Sequence, residues 1–206
     1  PFLWMVLAAF KTDTEIYRFP PTVLPERIDV ANVTTLFLEQ PFGRWYFNSA
    51  WITAVATILT LFFSSLAGFG FGKYKFRGRT ILFGVLIGSL MIPFQLILIP
   101  LFVLISRIGW VDNYLAVFVP FVAPAFGIFM MKQFMSRIPN ELLDAARIDG
   151  ASEFKIYYVI VLPLVRPGLG ALGIFTFVNI WNSFLWPLVV LRGDTHYTLP
   201  VGMATL

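Results

Sequence analysis

Side chains that could carry out covalent chemistry or hold a metal are scarce in this sequence. Cysteine is absent and His196 is the only histidine among the 206 residues, which excludes thiol catalysis, cysteine-based zinc sites and a histidine-rich metal site. The longest apolar stretches contain no Asp, Glu, Lys or Arg. They therefore hold neither a nucleophile with its base nor a carboxylate for a coupling ion. We predict that the chain has no catalytic residue and no metal ligand.

A second group of polar side chains lies within apolar sequence. Gln95, Asn179 and Asn182 carry amides, and the aromatic residues Trp181 and Phe184 accompany the last two. An amide without a partner is costly to bury in lipid, so we expect these five residues to face a polar path through the membrane. The alternative is that the amides form hydrogen bonds between helices, and the sequence favours neither.

Four charge-free stretches must position these residues. They are 45–72, 80–106, 113–131 and 167–191, in a chain that is 58% hydrophobic and only 13% charged. A soluble domain has about 25% charged residues, and about 20 helical residues cross a bilayer. Each stretch is therefore predicted to be a membrane helix, in an all-α integral membrane protein with one domain, 1–206. Residues 1–10 resemble the end of a further helix, so we expect the chain to be cut at its N-terminus.

Prolines interrupt three of these stretches: Pro93 and Pro100, Pro120 and Pro124, and Pro187. A proline removes a backbone donor and kinks a helix. In lipid, neighbouring helices or water must then satisfy the freed carbonyl. This pattern indicates a bundle of broken helices that can move, rather than a set of rigid helices that only anchor the chain in the membrane.

Basic residues predict the orientation of the spans. The loop 73–79 carries four basic residues and no acidic one, which is typical of a cytoplasmic loop. Alternation then places 136–165 in the cytoplasm, and 107–112 and the Pro-rich, irregular 11–44 outside. This distribution accounts for the net charge of +4, so we expect lipid and no nucleic acid around the chain.

The segment 136–165 has its own predicted order. Pro139 suits the first position of a helix and Glu141 favours its dipole. Gly150 is placed to end this helix in a left-handed conformation. Ser152 can then cap a second helix, which should stop at Pro163.

The first of these helices has small residues, Ala145 and Ala146, beside the charged residues Asp144, Arg147 and Asp149. A rigid helix with a small apolar centre and a charged rim fits a groove on a soluble partner. The alternative is a helix that lies on the lipid surface. That alternative requires a broad apolar face opposite Lys and Arg, whereas acidic residues are as frequent as basic ones here.

This segment resembles the cytoplasmic loop of binding-protein-dependent ABC importer permeases. Their signature is Glu-Ala-Ala, three residues, Gly, nine residues, Ile, one residue, and Leu-Pro. The matching residues are Asp144, Ala145, Ala146, Gly150, Ile160, Leu162 and Pro163. Asp144 replaces the signature's glutamate, which keeps the charge but shortens the reach.

Other segments resemble the maltose-type carbohydrate subfamily, and its second permease subunit in particular. They are Pro1–Val6 with Phe10–Thr12, Phe47–Ser49, and Asn182–Leu188. The resemblance implies the transmembrane domain of a type I ABC importer, with a six-helix core that is truncated at both ends here.

The resemblance also implies a function. The chain would be a permease subunit that takes up a sugar or oligosaccharide by alternating access, in a bacterial or archaeal cytoplasmic membrane. Its partners would be two ABC ATPase subunits, a second permease subunit that forms a heterodimer with it, and an extracytoplasmic solute-binding protein. The alternatives are a permease for a glycerol-phosphate-type solute and a partner-independent secondary transporter, but the latter requires carboxylates within the spans.

In this family, ATP and Mg²⁺ bind to the ATPase, and we expect no cofactor in this chain. The run Gly68–Lys73 has the wrong spacing for a P-loop, and Tyr74 replaces its hydroxyl residue. The resemblance places ATPase coupling on Glu141, Asp144, Ala145, Ala146, Asp149, Gly150, Ala151, Ile160, Leu162 and Pro163. We expect a bulky charge at Gly150 or Ala146 to unseat the loop from the ATPase.

Overall fold

Helices form the regular structure of the part of the chain described by the computed structural model, which is residues 2–206 without the side chain of Asp13. The helices are α1 (Phe2–Ala8), α2 (Phe42–Lys73), α3 (Arg79–Ser89), α4 (Phe94–Arg107), α5 (Tyr114–Phe118), α6 (Ala125–Ser136), α7 (Asn140–Ile148), α8 (Glu153–Leu164), α9 (Arg166–Trp181), α10 (Leu185–Val190) and α11 (Leu199–Met203). Shorter helical turns occur at Asp13–Ile16, Ala31–Thr34, Thr35–Glu39 and Val119–Phe121.

Helix α2 is the centre of the bundle and packs mainly against α6 and α9. It has 32 residues, which at about 1.5 Å per residue exceeds the hydrocarbon thickness of about 30 Å. Within residues 2–206 it is the one helix long and apolar enough to cross a membrane by itself, and up to four spans result if each bent helix pair counts as one. It contains the predicted stretch 45–72.

The other three predicted stretches are broken. Residues 80–106 form α3 and α4, which meet at 102°, whereas α5 and its following turn meet α6 at 42°. Residues 167–191 form most of α9 and then α10. Pro93 lies at the first break as predicted, whereas Pro100 lies inside α4 and does not end it. Pro120 has no N–H group, and the carbonyl of Ala116 four residues earlier instead accepts a hydrogen bond of 2.8 Å from Trp186 Nε1.

Small residues allow α2 and α6 to approach closely. Ser64 and Gly68 of α2 lie against Gly127 and Met131 of α6. An added Cβ on Gly127 would lie 2.5 Å from Ser64 Oγ. Backbone contact of this kind is typical of membrane helix pairs, which gain stability mainly from van der Waals packing.

Gly68→Ala is expected to lower the free energy of unfolding by about 1–3 kcal/mol. Its Cβ would lie 2.7 Å from Met131 Cβ and 2.9 Å from the backbone nitrogen of Lys132. Gly70→Ala is the matched control, because it gains the same helix propensity but its Cβ meets no atom within 4 Å. Thermal unfolding in detergent measures the melting temperatures of both variants. Equal melting temperatures would contradict this packing.

Two hydrophobic cores lie at opposite ends of the bundle. The loop-end core comprises Phe69, Met131, Met135, Ile138, Leu143, Ala146, Ile156, Tyr157, Val161, Val165 and Leu172. The far-end core comprises Ile52, Ala56, Ile105, Ala116, Val117, Phe118, Trp186, Val190 and Leu191. The first core fixes the segment 136–165 to the bundle, and the second fixes the broken helices.

The predicted outer segment 11–44 contains a buried ion pair. Lys11 is 1% exposed, and its ammonium lies 3.7 Å from Glu15 Oε1. Lys11 Nζ also donates to the carbonyl and hydroxyl of Thr22, and its carbonyl accepts from Asn32 Nδ2 at 2.9 Å. The sequence predicted an irregular segment, and this cluster orders it through polar contacts over a distance of up to 21 residues.

At the same end, the segment 192–198 is fastened to α2 and to Asp112. Trp45 Nε1 donates to the carbonyl of Asp194 at 3.0 Å, and Asn48 Nδ2 donates to that of Tyr197 at 2.9 Å. Asp112 Oδ1 accepts from two backbone N–H groups of the segment at 2.9 and 3.2 Å. His196, for which no catalytic partner was predicted, lies 3.2 Å from the same carboxylate.

Acid is expected to loosen the segment 192–198 through Asp112. Burial raises the pKa of Asp112, but the N–H groups of Arg192 and Gly193 and the ring of His196 outweigh burial and hold the pKa below its ordinary value of 3.8. A group with a lower pKa in the folded state stabilises the fold above its unfolded pKa, and this contribution is lost as the pH falls through the folded pKa. Thermal stability should therefore fall below about pH 4 in the wild type, and less in Asp112→Asn. Parallel pH profiles of the two proteins would contradict this role.

Candidate functional site

The segment 136–165 forms a sharply closed corner between α7 and α8. Helix α7 begins at Asn140, so Pro139 is its N-cap and not, as predicted, its first residue. Gly150 has φ of +78°, as the sequence predicted. The N–H of Gly150 donates to the carbonyl of Arg147 at 3.0 Å, and that of Ala151 donates to Ala146 at 2.9 Å. These two bonds form a Schellman motif, which favours glycine at this position.

Helix α8 then returns to the bundle. The hydroxyl of Ser152 accepts from the N–H of Lys155 at 3.3 Å, which is the predicted cap. The helix ends at Leu164, one residue after the predicted stop at Pro163, and meets α9 at 78°. Wider π-type turns at Ile156–Val161 precede Pro163.

The two alanines of the signature differ in burial, since consecutive residues of a helix lie about 100° apart around its axis. Ala146 is buried in the loop-end core together with Leu143, whereas Ala145 is exposed. The expectation that both alanines form one contact surface is therefore wrong for Ala146. The buried pair at positions 143 and 146 holds the helix on the bundle, and the other face is exposed.

The exposed face of α7 is apolar at its centre. Leu142, Ala145 and Ile148 follow one another at intervals of three residues, and Ile148 is 87% exposed. The charged residues Glu141 and Asp149 are exposed beside them. We call these five residues the outer face of α7. Sequence reasoning missed Leu142 and Ile148, although their three-residue spacing was the signal that could have found them.

Charged groups at the surface brace the corner. Arg147 Nε and Nη2 donate to the two carboxylate oxygens of Glu153 at 2.7 and 3.1 Å, and Nη1 donates to Asp144 at 2.6 Å. Tyr74, at the end of α2, donates its hydroxyl to Glu153. The hydrogen bonds from Arg147 and then Tyr74 lower the pKa of Glu153. Burial, followed by the Glu153 carboxylate, raises the pKa of Tyr74 to about 12.

Two more contacts fix the segment to α2. Lys73 Nζ donates to the carbonyl of Ile138 and, at 3.1 Å, to Asn140 Oδ1. The hydroxyls of Ser65 and Tyr157 are 2.7 Å apart and buried. These contacts attach the segment 136–165 to α2, the central helix.

A second candidate site is a cavity of about 530 Å³ between the broken helices. Its lining brings together three of the predicted path residues, Gln95, Asn179 and Phe184. Asn179 Nδ2 donates to the carbonyl of Phe175 at 2.8 Å, which leaves its side-chain oxygen as an acceptor. Thr60 also lines the cavity. The remaining lining residues are Phe94, Val117, Phe118, Phe121, Pro124, Phe175, Thr176, Ile180, Ser183, Leu185 and Trp186.

The other two predicted path residues lie elsewhere. Trp181 and Asn182 line a separate cavity of about 440 Å³ with Tyr46 and Phe177. The ring of Trp181 lies 5.6 Å from that of Tyr46 and 5.9 Å from that of Phe177. Asn182 Nδ2 donates to the carbonyl of Val178 at 2.8 Å. The five residues therefore do not form one path in this arrangement.

The chain matches a known protein family and several named transport proteins. The family described as "binding-protein-dependent transport system inner membrane component" matches residues 63–203. The arabinooligosaccharides transport system permease protein AraQ of Halalkalibacterium halodurans is 41% identical, over 100% of this chain and 75% of that protein. The lactose transport system permease protein LacG of Rhizobium radiobacter is 35% identical, over 100% and 75%. The sn-glycerol-3-phosphate transport system permease protein UgpE of Yersinia enterocolitica is 29% identical, over 100% and 75%.

The fold also matches a solved structure. A bacterial ABC transporter involved in the import of the acidic polysaccharide alginate superimposes with a TM-score of 0.90, at 22% identity, over 100% of this chain and 72% of that chain. The family resemblance and the all-helical fold class predicted from the sequence are both confirmed. The chain therefore belongs to the family of binding-protein-dependent transport system inner membrane components, and it has the fold of an ABC importer permease.

Proposed function

We propose that this chain is a transmembrane permease subunit for a sugar or oligosaccharide, in an importer driven by ATP hydrolysis on partner subunits. The observation that carries the proposal is the outer face of α7, an exposed apolar centre with a charged rim on a helix fastened to the central span. Such a surface suits a groove on a soluble subunit. The permease itself does not hydrolyse ATP in the proposed complex.

The proposed complex contains two ABC ATPase subunits, which bind ATP and Mg²⁺, a second permease subunit and an extracytoplasmic solute-binding protein. This chain contributes no cofactor. It lies in a cytoplasmic membrane with the segment 136–165 on the cytoplasmic side. The basic loop 73–79, at the same end of the bundle as α7, supports this orientation.

The proposed mechanism is alternating access. The outer face of α7 stays in the ATPase groove while the ATPases close, and it must make different contacts in the two states. Leu143 and Ala146 pass the displacement to the loop-end core, and the Ser65–Tyr157 contact passes it to α2. The bends between consecutive helices are the places where spans can tilt.

Sugar is favoured over a phosphate ester by the lining of the larger cavity. The relatives include permeases named for arabinooligosaccharides, lactose and sn-glycerol-3-phosphate. A phosphate is recognised by Arg, Lys or several aligned N–H groups, whereas the described lining carries Gln95, Asn179, hydroxyls and aromatic rings. Amides and ring faces pair with sugar hydroxyls and C–H groups.

Uptake by the complete importer in proteoliposomes tests this proposal. The full-length permease, its partner subunits and the binding protein are supplied with Mg-ATP inside and labelled arabinooligosaccharide, lactose or glycerol 3-phosphate outside. We expect ATP-dependent uptake of a sugar. Uptake of glycerol 3-phosphate alone would favour the second candidate, and uptake without ATPase subunits would favour a secondary transporter.

Asn179→Ala is expected to slow sugar uptake roughly fivefold, as the loss of one hydrogen bond of about 1 kcal/mol implies. Asn182→Ala is the matched control, because it removes the same amide with the same backbone bond from the other cavity. The initial rate of sugar uptake at saturating ATP is measured for both variants and compared with that of the wild type. Equal slowing in the two variants would argue against a path through the larger cavity.

A further inference from the structure

We propose that the corner between α2 and α3 binds the headgroups of anionic phospholipids through Lys75, Arg77 and Arg79. These three residues, which we call the basic corner, follow directly on the end of the longest helix. Lys75 and Arg77 are exposed and Arg79 is half-buried. The proposal does not rest on the proposed function, since it concerns a different surface of the same permease.

The charge of the basic corner is not neutralised by its surroundings. The sequence has no acidic residue between Glu39 and Asp112. The nearby carboxylates of the segment 136–165 interact with other residues. Glu141 attracts the ammonium of Lys73, and Glu153 accepts a hydrogen bond from the hydroxyl of Tyr74. Among the described hydrogen bonds and ion pairs, none engages the side chains of the basic corner.

The surface next to the basic corner is apolar and exposed. On α3, Ile81 is 73% exposed and Val85 is 66% exposed. At the corner itself, the half-exposed ring of Phe76 lies 5.8 Å from the ring of Phe71, which in turn lies 5.5 Å from Phe83. A molecule bound here must therefore match a cationic patch that lies next to aromatic side chains and, further along α3, aliphatic side chains.

An anionic phospholipid matches this surface, because its negative headgroup suits the cationic patch and its acyl chains suit the apolar side chains. The 32 residues of α2 reach beyond a hydrocarbon layer of about 30 Å, so the end of α2 lies at headgroup level. Aromatic rings are favoured at that interface, and basic residues there attract anionic lipid. An acidic soluble protein would match the charges but would leave the aliphatic face of α3 uncovered.

Lipid retention by the assembled importer tests the proposal. The full-length permease with its partner subunits is equilibrated in detergent micelles that contain phosphatidylglycerol and phosphatidylcholine in equal amounts, and bound lipids are counted by native mass spectrometry. We expect phosphatidylglycerol to be retained preferentially by the wild type. The triple variant Lys75→Gln, Arg77→Gln, Arg79→Gln should lose that preference at least tenfold.

The matched control neutralises three basic residues at the opposite end of the helices. Arg44→Gln, Arg107→Gln and Arg192→Gln remove the same net charge and should retain the preference for phosphatidylglycerol. The single variants Lys75→Gln and Arg77→Gln should give graded losses, so the test stands even if the triple variant folds poorly. An unchanged preference in the basic-corner variants would overturn the proposal. So would lipid binding that disappears when the ATPase subunits are bound, or that inorganic phosphate at constant ionic strength displaces.

Discussion

Ile148→Glu is expected to abolish ATPase binding and ATP-driven uptake while the permease itself remains folded. Ile148 is 87% exposed on the outer face of α7, so glutamate at this position meets solvent in the isolated permease. In a partner groove, the same carboxylate would be buried without a counter-ion. That costs about 3–5 kcal/mol, which is at least a hundredfold in affinity. Co-purification of the ATPase and the initial rate of uptake measure the loss.

The control for this variant is Ile28→Glu. Ile28 is 73% exposed in the segment 11–44 at the other end of the bundle, so the substitution has the same chemistry and a similar environment. It should leave ATPase binding unchanged. If Ile148→Glu retained the ATPase at the wild-type yield, the outer face of α7 would not be the docking surface.

Ala146→Glu is expected to unfold the corner, whereas Ala145→Glu should leave it folded. Ala146 is 9% exposed within the loop-end core, where an unpaired carboxylate costs several kcal/mol. Ala145, the preceding residue of the same helix, is exposed. We therefore expect a strongly lowered melting temperature and poor yield for the first variant, and a normal melting temperature with lost ATPase binding for the second.

Thermal unfolding and ATPase co-purification together separate the two alanines. A charge at position 146 does not test ATPase docking by itself, because it also destabilises the folded permease. Normal stability of Ala146→Glu would mean that the helix is not anchored through this side, and the assignment of its two faces would then be wrong.

Local features of the corner were predictable from the sequence. Gly150 adopts its left-handed conformation and Ser152 caps α8 because both requirements involve only a few neighbouring residues. Pro93 marks a break, which the sequence also predicted. Pro100 does not end α4, because proline removes a single backbone donor and the other turns keep their hydrogen bonds.

Features that depend on distant residues were not predictable in this way. Tyr74 and Glu153 are 79 residues apart in sequence, and Ser65 and Tyr157 are 92 apart. The division of five path candidates between two cavities depends on how α9 is rotated against its neighbours. Burial of Ala146 depends on a core built from several helices, so the signature identifies the corner without identifying its buried face.

The most direct test of the account is the accessibility of position 148 in the presence and absence of the ATPase. The chain contains no cysteine, so Ile148→Cys places a unique thiol within residues 1–206, and Ile28→Cys is the matched control. The rate of maleimide labelling is measured in membranes for the permease alone and for the complete complex. Docking of α7 on the ATPase predicts rapid labelling of Ile148→Cys without the ATPase and at least tenfold slower labelling with it, while Ile28→Cys is unaffected. Equal labelling of Ile148→Cys in both samples would contradict coupling through α7.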